Sequence, residues 1–145
     1  MSDFKLDTRL AKDCRVLGKI NTSLLLLMNN SLVPWFILVP QTSETELTDL
    51  LPSEQADVLE QINLISVFIK EHFDITQLNT AAIGNIVNQL HIHVVGRDPS
   101  DYCWPNVVWG TREREPYSTE QLDDIMGALG DHLGDKFQIK EIFQE

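Results

Sequence analysis

Apolar and polar positions along the chain change period several times, and each change marks an element. Leu6, Leu10 and Cys14 recur at helical spacing and predict a short helix over residues 6–14. Arg15 to Ile20 and Thr22 to Met28 read as two strands joined near Asn21, and the Asn29-Asn30-Ser31 cluster reads as a turn. Trp35 to Val39 is a third strand, bounded by Pro34 and Pro40. Ser53 offers an N-cap, with Glu54 and Asp57 favourable in the first turn. From it runs a helix to about Phe73, on which Val58, Leu59, Ile62, Ile65, Phe68 and Ile69 line one face.

Ile75 to Ala82 is a further strand, and Gly84-Asn85 a turn. In the strand that follows, Gln89 to Gly96, the period of two sends Leu90, Ile92 and Val94 to one face. Gln89, His91 and His93 go to the other. Asp98 to Pro116 is long and irregular, and loops of that length in a compact domain are often functional. Ser118 with Gln121 forms a capping box that opens a helix from Thr119 to about Leu133, although Gly127 and Gly130 weaken it. His72 and His132 fall on the two long helices and read as solvated or structural. Short links among the first three strands favour an antiparallel meander. The fold class expected is α+β: one antiparallel sheet of about five strands, with helices packed on one side.

Composition narrows this picture. A chain of 145 residues, 43% of them hydrophobic, suits a single domain spanning residues 1–145. The net charge of −11 repels polyanions, so neither nucleic acid nor an anionic membrane is expected as a partner. A small phosphorylated ligand remains compatible, because a local site can be positive. Cys14 and Cys103 are far apart and form no C-x-x-C pair, which argues against a disulfide framework or a cysteine zinc site. A reducing, cytoplasmic location is therefore expected. Met1 to Asp7 lacks the basic-then-apolar pattern of a signal peptide, and the apolar run Leu24 to Met28 is too short to span a bilayer.

The row Gln89, His91, His93 is the strongest chemical feature. It can be incidental surface. It can also be half of a metal site, which would need a third ligand such as Cys103, His72 or a distant carboxylate. The third reading is nucleophilic catalysis: one neutral imidazole attacks, and a neighbouring donor stabilises charge on the substrate.

Gln89-Leu90-His91-Ile92-His93-Val94-Val95-Gly96-Arg97 resembles the histidine triad (HIT) motif, His-x-His-x-His followed by two apolar residues, often Pro or Gly, and Arg. Upstream, Gly84-Asn85-Ile86-Val87 is similar to that family's Gly-Gln-Thr-Val at the same distance. Pro34-Trp35-Phe36-Ile37-Leu38-Val39-Pro40 is similar to its Gly-His-Val-Leu-Val-Ile-Pro strand. The likeness covers roughly residues 15 to 97, and the tail with Trp104 and Trp109 resembles that of a bacterial HIT-like subgroup.

The resemblance implies roles. His91 stands in the nucleophile's place and would attack the α-phosphorus of a nucleotide ester, anhydride or phosphoramidate. Water or another acceptor would then release the nucleotidyl-histidine. His93 would donate to phosphate or leaving-group oxygen, and Asn85 takes the place of a phosphate-binding Gln. Asn29 or Asn30 stands where members hold ribose hydroxyls, and Asn79 and Arg97 complete the implied substrate-binding set. A nucleotide or nucleotide conjugate is the implied partner, a homodimer the implied assembly, and no metal or cofactor is implied.

Two departures stand out. Gln89 replaces the first histidine, and Trp35 replaces a supporting histidine, as if one polar contact had been exchanged as a unit. Gln89 is then expected to hold the strand and orient the His91 ring. A related transferase branch carries Gln at the third position, so transfer does not follow from Gln89. Arg112 and Arg114 are further cations near the motif, and Trp104 and Trp109 could stack on a base or pack in a core. A binding module without turnover, and a metal-dependent H-x-H protein, remain the competing functions.

Overall fold

The computed structural model describes residues 3–140; Met1 and Ser2, the start of the segment read as lacking a leader pattern, lie outside them. The elements in chain order are α1 (Thr8–Asp13), β1 (Cys14–Ile20), β2 (Ser23–Met28), β3 (Trp35–Pro40), α2 (Pro52–His72), β4 (Gln77–Ala82), β5 (Ile92–Arg97), α3 (Thr119–Leu133) and β6 (Phe137–Ile139). All strands join one sheet in the order β4-β5-β3-β2-β1-β6, and every neighbouring pair is antiparallel. The expected meander is present as β1-β2-β3. Asn21, at φ 56, takes the left-handed conformation at its first turn, which asparagine tolerates.

The sheet has six strands where about five were expected. The additional one, β6, is only three residues long, too short for a period to show. It forms because the chain leaving α3 meets the free edge of β1. Gly18 makes that approach possible, since a Cβ there would lie 2.2 Å from the Gln138 carbonyl oxygen. The capping box of α3 is as expected: Ser118 Oγ accepts from Gln121 N at 3.1 Å, and Gln121 Oε1 accepts from Ser118 N at 2.8 Å. The start of α2 differs. Leu51 is the N-cap, Pro52 fills the first helical position, and Glu54 Oε1 accepts from Leu51 N at 2.9 Å. Proline needs no hydrogen-bond acceptor in the first turn, so the helix begins one residue before Ser53.

The long helices α2 and α3 lie on one face of the sheet. Leu25, Leu27, Phe36, Leu38, Ile92 and Val94 meet Ile65, Phe68, Ile69, Ile125 and Leu129 in one core. The opposite face is also apolar. Leu24, Leu26, Trp35, Ile37, Val39 and Val95 are covered there by Leu10 of α1 and Val108 of the irregular segment. Leu24 to Leu27 is therefore buried without interruption, a strand with a core on each side. His72 and His132 belong to the α2–α3 contact. The His72 ring stacks on Phe68 with centroids 5.2 Å apart, and His132 meets the same ring edge-on at 5.6 Å. Among the described residues no helix is long and apolar enough to cross a membrane.

Gly96, the penultimate residue of β5, lies close against α2. A Cβ there would lie 2.7 Å from Ile69 Cγ2 and 3.0 Å from both Ile75 Cδ1 and Pro34 Cγ. Ile69 is fully buried and cannot swing aside. Gly96→Ala is expected to destabilise the fold by about 1–3 kcal/mol through overpacking, measured as a lowered urea midpoint with an unchanged slope.

Candidate active site

β5 sets the register of the two histidines. His93 pairs with Ile37 on β3 and with Ala81 on β4. Its neighbours Ile92 and Val94 point into the helix-covered core, so His93 faces the opposite side with Val95. His91 lies on that same side one residue before the strand, and the two ring centroids are 5.0 Å apart. The strand was expected to begin at Gln89. It begins at Ile92, because that is the last residue paired to β3 and to β4.

The face is not bare. His91 is 5% exposed and His93 6%, because the irregular segment and the N-terminal residues close over them. A cavity of about 570 Å³ remains, lined by both histidines together with Trp35, Asn85, Trp109 and Arg114. The Trp109 ring stands edge-on to His93 at 5.4 Å and to Trp35 at 6.1 Å.

Hydrogen bonds assign the protons of both rings. His91 Nδ1 lies 2.7 Å from the backbone carbonyl oxygen of Gln89. A carbonyl only accepts, so Nδ1 carries a proton, and in the neutral ring the lone pair is on Nε2. His93 is the reverse. Trp35 Nε1–H donates to His93 Nδ1 at 3.0 Å, so the proton of the neutral ring sits on Nε2. Burial, reinforced by the neighbouring His91, pushes the His93 imidazole down to about 4.

Asn85 and both histidines are brought together around the cavity. Asn30, Trp35, Trp109, Arg112 and Arg114 line it as well, whereas Gln89, Asn29, Asn79 and Arg97 are placed elsewhere. Gln89 does not use its side chain on His91; its Oε1 accepts from Asp7 N and its Nε2 donates to the Lys5 carbonyl, both at 2.8 Å. Trp35 bonds His93 rather than Gln89, so the two departures are not one exchanged contact. Asn29 Oδ1 accepts from Tyr117 N at 3.0 Å and does not line the cavity; Asn30 lines it, but its Oδ1 accepts from Leu32 N and Glu115 N.

Arg97, which is buried, and Asn79, which is half-buried, form a separate cluster. Arg97 donates to Asp101, to Asn79 Oδ1 at 2.8 Å and to the Asn106 carbonyl at 2.8 Å. Its side chain is 2% exposed, so its charge is spent on holding the 98–106 segment. Trp104 packs over the same guanidinium, 5.7 Å from ring centroid to Cζ.

Arg9, Asp13 and Met28 line the cavity and were not singled out in the sequence. They arrive from α1 and the end of β2, and no local pattern shows which residues those elements turn toward the histidines. Arg9 is paired with Asp7 at 2.9 Å. Of the suggested third metal ligands, His72 and Cys103 do not join the histidines: His72 lies on the helix-covered face, and Cys103 Sγ lies 3.6 Å from Arg97 Nη2; the carboxylates Asp13 and Glu113 line the cavity. Among the described residues no group of three His, Cys, Asp or Glu is arranged to hold a metal ion.

A family model described as the HIT domain matches residues 9–100. A histidine triad protein from Marinobacter aquaeolei is 37% identical, with a TM-score of 0.86 over 91% of this chain and 97% of its own. One from Sinorhizobium meliloti is 36% identical, with a TM-score of 0.86 over 90% and 98%. At 20% identity, a Plasmodium falciparum diadenosine triphosphate hydrolase shares the fold with a TM-score of 0.62 over 94% of this chain and 84% of its own. No curated protein matches the chain.

The low His93 value has a consequence for folding. Near the ordinary value of 6.5 the unfolded ring begins to take up a proton, while the folded ring stays neutral down to about 4. The unfolded state thus binds more protons in that window, and stability falls as pH falls through it, by about 1–3 kcal/mol from this group. Urea midpoints across the window should show the excess slope in the wild type and lose it in His93→Gln.

Proposed function

The chain belongs to the histidine triad (HIT) family, and we propose that it is a nucleotide hydrolase or nucleotidyl transferase working through His91. The supporting observation is the His91 Nδ1–H bond to the Gln89 carbonyl, which leaves the Nε2 lone pair on a residue lining the cavity. In this reading Nε2 attacks the α-phosphorus of a nucleotide ester, anhydride or phosphoramidate. A P–N bond forms as the bond to the leaving group breaks, with its electron pair on that group; an anhydride's phosphate departs as the anion, and the nitrogen of a phosphoramidate takes up a proton from solvent as it leaves. The positive charge spread over the His91 ring is stabilised by the carbonyl facing Nδ1–H. Water or another acceptor then attacks phosphorus, the electron pair returns to Nε2, and a proton of the water passes to solvent.

His93 and Asn85 donate to phosphate oxygens in this scheme. The unpaired thiols of Cys14 and Cys103 suit a reducing, cytoplasmic location. The fold shared with a diadenosine triphosphate hydrolase makes dinucleoside polyphosphates a natural first substrate to test, beside adenosine phosphoramidates.

Intact-mass analysis after rapid acid quench should show a nucleotidyl adduct in the wild type. His91→Asn should remove the adduct and lower turnover by about 10³-fold or more, with nucleotide affinity largely kept. Turnover should survive chelation. Nucleotide binding with neither adduct nor turnover would make the site a binding module, and turnover lost to chelator and restored by zinc would make it a metal site.

We also propose a homodimer. Leu59 is 58% exposed and Val67 45% exposed on α2, along a groove shared with Ala56 and Leu64. Exposed apolar surface of this kind on a long helix suits a second copy. Light scattering should give twice the chain mass, and Leu59→Glu with Val67→Glu should return the monomer without unfolding it.

A further inference from the structure

The two site histidines carry their protons on opposite nitrogens, and different partners enforce this. His91 faces a carbonyl, which holds a proton on Nδ1 and tolerates a positive ring. His93 faces an indole N–H, which is a donor only. Were His93 Nδ1 protonated, two N–H groups would confront each other at 3.0 Å. Trp35 is 7% exposed and His93 6%, so water has little room to intervene. Trp35 cannot easily turn away, being held on β3 opposite Val95 and packed edge-on against Trp109.

We infer that Trp35 is a positioning residue that locks His93 in the Nε2–H tautomer, so that His93 gives substrate a hydrogen bond but not a proton, and the site favours leaving groups that depart as stable anions. This rests on the reading of His91 as nucleophile. Giving up the Nε2 proton would turn neutral His93 into an imidazolate, and taking up a second proton at Nδ1 would break the Trp35 bond. A phosphoanhydride does not need that proton: its P–O bond breaks with the electron pair on a departing phosphate. A phosphoramidate does, because its nitrogen leaves as a neutral amine only after that nitrogen has been protonated. The other titratable groups around the cavity are His91, Arg9, Asp13, Arg112, Glu113 and Arg114, and none of them bonds His93 Nδ1.

The test compares the wild type with Trp35→Phe and with a variant carrying benzothienylalanine at position 35, which keeps the indole shape without its N–H and guards against misfolding of the first. Nitrogen-15 spectra should place the wild-type His93 proton on Nε2. Both variants should lose that preference, and the His93 titration midpoint should rise by about one pH unit. The ratio of kcat/KM for a dinucleoside triphosphate to that for an adenosine alkylphosphoramidate should fall by about 10-fold, the activity equivalent of that shift. A wild-type proton on Nδ1, or spectra unchanged in both variants, overturns the lock whether or not the protein turns over nucleotides. A lock that holds with a ratio that does not move overturns the leaving-group selection. A lock that holds in a protein without turnover on either substrate overturns the catalytic reading and leaves the tautomer assignment standing.

Discussion

β5 must serve two interiors at once, and the rest of the structure follows from that constraint. Ile92 and Val94 are needed in the core beneath α2 and α3. The pleat then sends His91 and His93 to the other face, and a one-residue slip would bury the imidazoles under the helices instead. The pairing that prevents the slip is central: β5 is hydrogen-bonded to β3 on one side and β4 on the other. Gly96 lets this strand run against Ile69 at a distance no side chain would permit. The histidines are thus held by the same packing that holds the sheet to its helices.

The second face is covered by Leu10 of α1 and by the irregular segment, and a buried ion pair holds that segment in place. Burial by itself would raise the Asp101 carboxyl, but the Arg97 hydrogen bond and charge hold it below its usual value. Arg97 is tied at the same time to Asn79 on β4 and to the Asn106 carbonyl. This buried pair fixes the start of the irregular segment to the end of the histidine strand. The segment then returns across the face with Val108 and Trp109 over the histidines. Gln89 does similar work for the N-terminal segment, its amide bonding the backbone of Lys5 and Asp7. Residues beside the motif thus build the walls of the site, and the reacting groups stay few.

Within those walls, two chemically identical side chains become different reagents. In its neutral form one ring presents a lone pair at Nε2 and the other a proton. The difference comes wholly from what faces Nδ1. For His91 that group is a main-chain carbonyl, so the orientation does not depend on which side chain residue 89 carries. For His93 it is the indole of Trp35, a side chain whose replacement would change the donor pattern.

The sequence by itself determined what depends on local pattern. Alternation in Gln89 to Val94, the apolar period of α2 and the Ser118–Gln121 box are set by residues within a few positions of one another, so they were legible, except that Leu59, read with the apolar face of α2, is exposed. The motif around His91 and His93 was legible for the same reason, and both line one cavity. Tertiary structure decided the rest. Arg97 has the look of a phosphate ligand in a linear chain, and only folding brings Asp101, Asn79 and Asn106 around it. Gln89 and Trp35 look like a matched pair of departures, but their partners lie 82 and 58 positions away, at Asp7 and His93. β6 has too few residues to carry a period and exists only because β1 offers it an edge. Spacing along a strand fixes which way a side chain points; what it meets there depends on segments that arrive from elsewhere in the chain.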